Sequence, residues 1–307
     1  MIVKKIFTLA LSIWCVATGT FFLMHAVPGD PFIGDRAVPE EVLRSLNAYY
    51  GLDKSLWIQY LNYLKGIASF DFGVSIAYHG RPVSQFILEG LPISILLGMQ
   101  ALFVAVPAGV LLGTWAAIKR SKWQDHAAML VSTLFISVPN FVLSSLLQYI
   151  FAVKLHWLPV ARWGSFEQTI LPTLALAAMP MAFIARLTRS NMVEVLAQDY
   201  IRTALSKGLP LFRIAIVHGL RNALLPVISY LGPIAASILT GSFMVEKIFA
   251  IPGLGQWMIS SINARDYPMI MGLSIFFCAT LSLLVFLVDL IYPLLDPRIV
   301  KEAAYDR

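Results

Sequence analysis

The sequence predicts an all-α integral membrane protein with six membrane-spanning helices, and three observations predict it. Of 307 residues, 58% are hydrophobic and 13% charged, against about 45–50% and about 25% in soluble domains, so a soluble core could not hide the apolar surface. Six segments are long and apolar enough, or nearly so, to cross a hydrocarbon layer, which takes about 20 residues. Lysines and arginines gather at the margins of those segments, where they set orientation.

The first span is Ile6–Val27. Lys4 and Lys5 precede it as they would a signal peptide, but its length and the lack of an A-x-A site in "MHAVPGDP" favour an uncleaved helix. Residues 28–92 follow as an extracytoplasmic segment with two short amphipathic helices. One opens at Pro39 with Glu40 and Glu41 in its first turn and ends at Gly51. The other takes Asp53 as N-cap and sets Leu56, Tyr60, Leu61, Leu64 and Ile67 on one face. That face either lies at the outer membrane boundary, where Trp57, Tyr60 and Tyr63 fit, or packs over the spans.

The remaining spans are Ile93–Ile118, Ala127–Val153, Thr169–Ala185, Ala223–Val245 and Pro268–Ile291. The fourth of the six is the shortest and contains Pro172 and Pro180, so it is kinked or leans on neighbours that satisfy its freed carbonyls. The chain thus divides into a first span (1–27), the outer segment (28–92), a five-helix core (93–292) that includes a loop at 186–222, and a tail (293–307). With both termini cytoplasmic, 14 of the 23 Lys and Arg face inward, and five of the other nine sit in the long segment 28–92, where charge bias counts for less. The loop 186–222 is then cytoplasmic as well.

Several function classes fall away. There is no G-x-x-x-x-G-K-[ST] and no Gly-Lys pair, so nucleotide phosphates have no cradle of that kind. His25, His79, His126, His156 and His218 are scattered, with no H-E-x-x-H, and neither a metal nor another cofactor is expected. Cys15 and Cys278 lie inside apolar runs, away from polar clusters. No G-x-S-x-G suggests a hydrolase, so the chain is read as a non-enzyme. The only acid inside a span is Asp289, near the inner end, which suits a capping role and argues against an ion-coupled secondary transporter. The net charge of +6 reflects orientation rather than a nucleic-acid partner.

One stretch resists the loop reading: "QDYIRTALSKGLPLFRIAIVHGLRNALLPV", Gln198–Val227. Ile201, Ala204 and Leu205 share a helical face; Gly208 can take the positive φ that ends a helix, and Pro210 can start another. The second helix runs through Leu211, Ile214, Ala215 and Val217, with Arg213, His218 and Arg221 as polar positions. A solvated linker obeying positive-inside bias has no use for apolar faces on both sides of a tight turn, whereas a docking element does.

This stretch resembles the cytoplasmic loop of permease subunits of bacterial ABC importers, in the peptide branch of oligopeptide and dipeptide permease B proteins. "MHAVPGDPF", "DFGVS" (71–75), "ARLTRSNMVEVL" (185–196), "EKIFAIPGLGQ" (246–256), "RDYPMI" (265–270) and "DPR" (296–298) agree in order along nearly the whole chain. The family's loop carries E-A-A, three residues, then Gly. Here Arg202, Thr203 and Ala204 stand at E-A-A, with Gly208 as the glycine, and the Leu-Pro pair falls about five residues later than in the general pattern. The family's acid is replaced by Arg202, so a negative contact to the partner is not carried over.

The resemblance implies the type I ABC importer permease fold in the bacterial cytoplasmic (inner) membrane. It implies a lipid bilayer setting and coupling to a separate ATPase through Arg202, Thr203, Ala204, Lys207, Gly208, Leu209, Leu211 and Arg213. The implied partners are a second homologous permease, two ABC ATPase subunits and an extracytoplasmic substrate-binding protein. Oligopeptides or dipeptides are the expected cargo; nickel and glutathione carriers belong to the same branch. Ser229, Gly232, Ser237, Thr240 and Gly241 are candidates to line the pathway, with close helix packing as the competing reading. The rivals from other classes are an ion-coupled secondary transporter and an exporter-like or structural membrane subunit.

Overall fold

The computed structural model describes residues 2–26, 40–78 and 80–295. The expected helix start at Pro39, all of "VPGDPF", His79, the "DPR" motif and the tail from 296 lie outside the described residues, as does the side chain of Asp289.

The described residues are helical apart from turns and one isolated bridge, Val74 to Pro82. In chain order the helices are α1 (Ile2–Ala26), α2 (Glu40–Tyr50), α3 (Leu56–Ala68), α4 (Val83–Ile118), α5 (Trp123–Ser137), α6 (Asn140–Leu147, continuing as a π-helix over Gln148–Lys154) and α7 (Phe166–Leu196). Then come α8 (Asp199–Ser206), α9 (Leu211–Ile214), a π turn at Ala215–Gly219, α10 (Leu220–Ala223), α11 (Leu225–Leu239), α12 (Phe243–Ile248), α13 (Leu254–Asn263) and α14 (Tyr267–Leu295).

Among the described residues, five stretches are long and apolar enough to cross a membrane, and a sixth is so only as a bent pair. The third expected span, Ala127–Val153, is that pair: α5 and α6 meet at 105°. Pro139 is the cause. It excludes the preceding residue from helical geometry, and Val138 is extended at φ −83°, ψ 122°. The fourth span is longer than the expected Thr169–Ala185 and, of the two alternatives for its prolines, is the one that leans on its neighbours. It runs unbroken through Pro172 and Pro180 as the 31-residue α7, with 61% of its most apolar window buried, and it continues past Arg186 and Arg189 to Leu196. The loop expected at 186–222 therefore begins inside a helix. The fifth span is interrupted between α11 and α12 by Thr240 and Gly241, the latter at φ +109°.

The chain forms two compact units, each drawing on two stretches. Unit 1 comprises Met1–Ile93 and Pro252–Leu283. Its core is large and aromatic: Val83, Phe86, Ile87, Leu254, Met269 and Leu273, flanked by Phe72, Tyr78, Trp257 and Phe276. The α3 helix begins after Ser55 rather than after the expected cap Asp53. It packs on α1 through Tyr60, whose hydroxyl lies 2.8 Å from Thr18 Oγ1 and whose ring sits against Phe21. Leu56 and Leu61, expected on the same face, are exposed with Trp57. Burial pushes the Tyr63 phenol above its usual range, and its hydroxyl has no hydrogen-bond partner.

Unit 1 also brings together two of the quoted stretches, "DFGVS" and "RDYPMI". Asp266 is fully buried and accepts hydrogen bonds from the Ser75 hydroxyl and from the backbone N–H groups of Ile76 and Ala77 at 3.2 Å and Met269 at 3.3 Å.

Unit 2 comprises Ser94–Ile251 and Leu284–Arg307. It is packed by small residues. In Gly109-Val-Leu-Leu-Gly113, a Cβ on Gly113 would stand 2.3 Å from the Ala185 carbonyl oxygen and one on Gly109 2.7 Å from that of Met181, so α4 and α7 touch backbone to backbone in G-x-x-x-G fashion. At the start of α5, Asp125 takes a two-pronged hydrogen bond from Arg189 on α7, Nε to Oδ1 at 2.8 Å and Nη2 to Oδ2 at 2.7 Å, plus one from the Ser121 N–H at 3.0 Å. A second buried acid, Glu246, accepts from the Ser94 hydroxyl at 2.9 Å and the Ser242 N–H at 3.1 Å.

Candidate coupling site

The segment after α7 folds as the sequence predicts: helix, glycine turn, helix. α8 opens with Asp199 in its first turn, where a negative charge complements the helix dipole. Gly208 stands at φ +80°, and Pro210 is extended at φ −67°, ψ 140° just before α9. Ile201, Ala204 and Ile214 make a small core of their own with Leu196 and Leu209. At the base, Met192 of α7 packs with Ala215, Ala223 and Ala117. Asn222 donates to the Tyr200 hydroxyl at 3.0 Å, and Asn191 to the Ala223 carbonyl at 3.2 Å. The element is thereby seated on the last turns of α7.

Of the eight expected coupling residues, Arg202, Thr203, Lys207, Gly208, Leu211 and Arg213 are at the surface. Ala204 is buried and Leu209 half-buried in the element's own core, so these two shape the turn rather than present side chains. Arg202 is paired only loosely, 3.6 Å from Asp199, with both side chains largely in solvent. Such a pair adds little stability and leaves the guanidinium available.

Two details of the apolar faces differ from expectation. Leu205, grouped with Ile201 and Ala204, is exposed, because the neighbouring helix covers the 201/204 side and Leu205 lies a quarter turn beyond it. Val217 is 58% exposed although Ile214 and Ala215 are buried. The π turn at 215–219 carries more residues per turn than an α-helix, which rotates Val217 off the buried face. The most exposed apolar residue here is Phe212, at 67%, which sequence reasoning passed over. It follows Pro210 by two positions, opposite Ile214, and that spacing is the signal that marks it. Together Leu205, Leu211, Phe212, Ile216 and Val217 form exposed apolar positions among Arg202, Lys207 and Arg213.

The proposed pathway residues do not share one environment. Gly232 is a contact point: a Cβ there would lie 2.1 Å from Val288 Cγ1, as close helix packing requires. Ser229 donates to the Leu225 carbonyl at 3.1 Å and buried Thr240 to that of Ser237 at 2.9 Å. Ser237 is exposed, and Gly241 supplies the left-handed turn that ends α11. Among the described residues no group of three or more His, Cys, Asp or Glu is placed to hold a metal.

Apolar helices long enough to span a membrane thus carry a seated helix–turn–helix that turns apolar and basic residues outward, the class of a multi-pass membrane protein. The chain belongs to the binding-protein-dependent transport system inner membrane components: that family's profile matches residues 109–301, and the profile of the family's N-terminal part matches 1–97. It is 52% identical over 297 residues to the dipeptide transport system permease protein DppB of Bacillus subtilis (strain 168), covering 97% of this chain and 96% of that one. It is 40% identical over 290 residues to the oligopeptide transport system permease protein OppB of Escherichia coli (strain K12), covering 94% and 95%. In fold it is similar to the inward-facing MetNI methionine ABC transporter, with a TM-score of 0.51 at 18% identity over 69% of this chain and 95% of that one. The protein is thus a multi-pass permease subunit of the inner membrane, with the type I importer fold.

Proposed function

We propose that this chain is the permease subunit of an ATP-driven, binding-protein-dependent importer of dipeptides or short oligopeptides. It forms half of the translocation pathway beside a second, homologous permease. ATP hydrolysis takes place in two separate ABC ATPase subunits, and an extracytoplasmic binding protein delivers the peptide. The peptide cargo is supported by near-full-length similarity to dipeptide and oligopeptide permeases. The termini and the 186–222 segment face the cytoplasm in this reading, which the distribution of Lys and Arg supports.

The observation that carries the coupling role is the α8–Gly208–α9 element: it has its own small core, sits on α7, and turns apolar and cationic side chains outward. Arg202, Thr203, Lys207, Leu211 and Arg213 contact the ATPase, joined by Phe212, while Ala204, Gly208 and Leu209 hold the turn. Closure of the ATPase pair displaces this element and tilts the spans, a rigid-body gating motion.

The test is Gly208→Trp in membrane vesicles supplied with binding protein and labelled dipeptide. Space around Gly208 is open, but its positive φ disfavours any side chain. The variant inserts normally and loses ATP-driven uptake. Wild-type uptake would sink the coupling reading.

A further inference from the structure

We propose that the Asp125–Arg189 ion pair is the joint through which movement of the coupling element reaches the bent third span, which makes both of them positioning residues for transport. The joint matters only if 186–222 is the coupling element, the reading on which it rests.

Three observations carry it. The first is the geometry of the pair. Asp125 is 1% exposed, and its two oxygens receive two bonds from the Arg189 fork and one from the Ser121 N–H. A buried carboxylate is tolerable only when so completely satisfied, and a forked contact fixes distance and direction together. Ser121 itself is held at φ +63°, in the turn between α4 and α5. One side chain on α7 thus grips both the first turn of α5 and the turn that leads into it.

The second is where the grip falls. Arg189 lies two helical turns before the end of α7, and the coupling element is seated on the turns that follow it, at Met192, Val193, Val195 and Leu196. At the same level α4 lies directly on α7: a Cβ on Gly113 would be 2.8 Å from Thr188 Cβ and 3.0 Å from the Arg189 backbone nitrogen. A push on the coupling segment is therefore delivered to α7, and to the end of α4 at Ala117 and Ile118 that packs in the same cluster. From α7 it passes to α5, the helix against which α7 packs most extensively, and the ion pair is the charged, directional part of that contact.

The third observation separates a joint from simple adhesion. Thr114 Oγ1, Thr188 Oγ1 and Gln124 Oε1, neighbours in sequence of Gly113, Arg189 and Asp125, are buried and make no hydrogen bond in this state. Contacts built only to adhere are apolar or fully paired. Buried polar atoms without partners, each one residue along the chain from Gly113, Arg189 or Asp125, mark a helix contact that is not fully satisfied in this arrangement, as a two-position element would be.

The experiment uses the complete transporter in proteoliposomes: this chain, its partner permease, both ATPases and the binding protein, with dipeptide uptake and ATP hydrolysis measured together. Asp125→Asn and Arg189→Gln assemble and hydrolyse ATP, but uptake per ATP falls by about tenfold. The exchanged pair Asp125→Arg with Arg189→Asp recovers most of the ratio. Arg189→Lys, which keeps the charge and loses the fork, falls between, and it serves as the deciding variant if the others do not assemble. Wild-type uptake per ATP in the single variants overturns the proposal. So does a parallel loss of uptake and hydrolysis at constant ratio, which marks a purely structural pair. Gly208→Trp, measured alongside, keeps the two readings apart: uncoupling there with intact ratios at 125 and 189 removes only the joint, whereas normal uptake in Gly208→Trp removes the coupling reading itself.

Discussion

Asp266 and Asp125 are both carboxylates cut off from solvent, yet the protein satisfies them by opposite means. Asp266 in unit 1 is held by neutral donors, one serine hydroxyl and three backbone N–H groups. Its bonds tie the 75–77 turn to the first turn of α14 and are numerous but undirected by charge. Asp125 in unit 2 is held mainly by a guanidinium from another helix. Many neutral donors make a fixed corner, because moving it breaks several bonds at once. A single forked cation makes a link that can carry motion, because it fixes the distance and direction of its partner on the other helix together. The contrast teaches which acid belongs to scaffolding and which to transmission.

The comparison is sharpened by three stability measurements on protein purified in detergent. Arg189→Met leaves Asp125 buried with the Ser121 N–H as its remaining donor, and thermal unfolding should show the largest loss, about 3 kcal/mol. Asp266→Ala strands one hydroxyl and three amides and should cost about 2 kcal/mol. In proteoliposomes at a temperature where it stays folded, that variant keeps wild-type uptake per ATP; uncoupling by Asp266→Ala would break the distinction between corner and link. Ser75→Ala removes one donor of four and should lower stability by about 1 kcal/mol, read as a small drop in Tm.

Much of this architecture was legible in the sequence. Apolar length located the spans, and Gly208 with Pro210 located the turn that ends α8, because φ preferences act within one or two residues. The bend at Pro139 was equally legible and was overlooked, since composition alone made Ala127–Val153 look continuous. The extent of α7 was not legible. Arg186 and Arg189 read as loop because charge ends a span, but α7 continues through both to Leu196, and Arg189 pairs with buried Asp125. Such pairings depend on two residues 64 positions apart in sequence, and no local pattern announces them. For the candidate site, periodicity picked out Ile201, Ala204 and Ile214 correctly. It misplaced Leu205 and Val217, one because a face has edges that only the neighbour defines, the other because a π turn changes the period itself.

That π turn also bears on how the segment tolerates changes of length. Ala215–Gly219 holds one residue more than an α-helical turn would. Deleting a residue there would let the turn tighten to ordinary helical pitch, and inserting one would lengthen a turn that is already wide. The stretch between the Gly208 hinge and the Leu225-Pro226 start of α11 thus has slack built into it, and the two ends are free to keep their own surroundings while the count between them drifts.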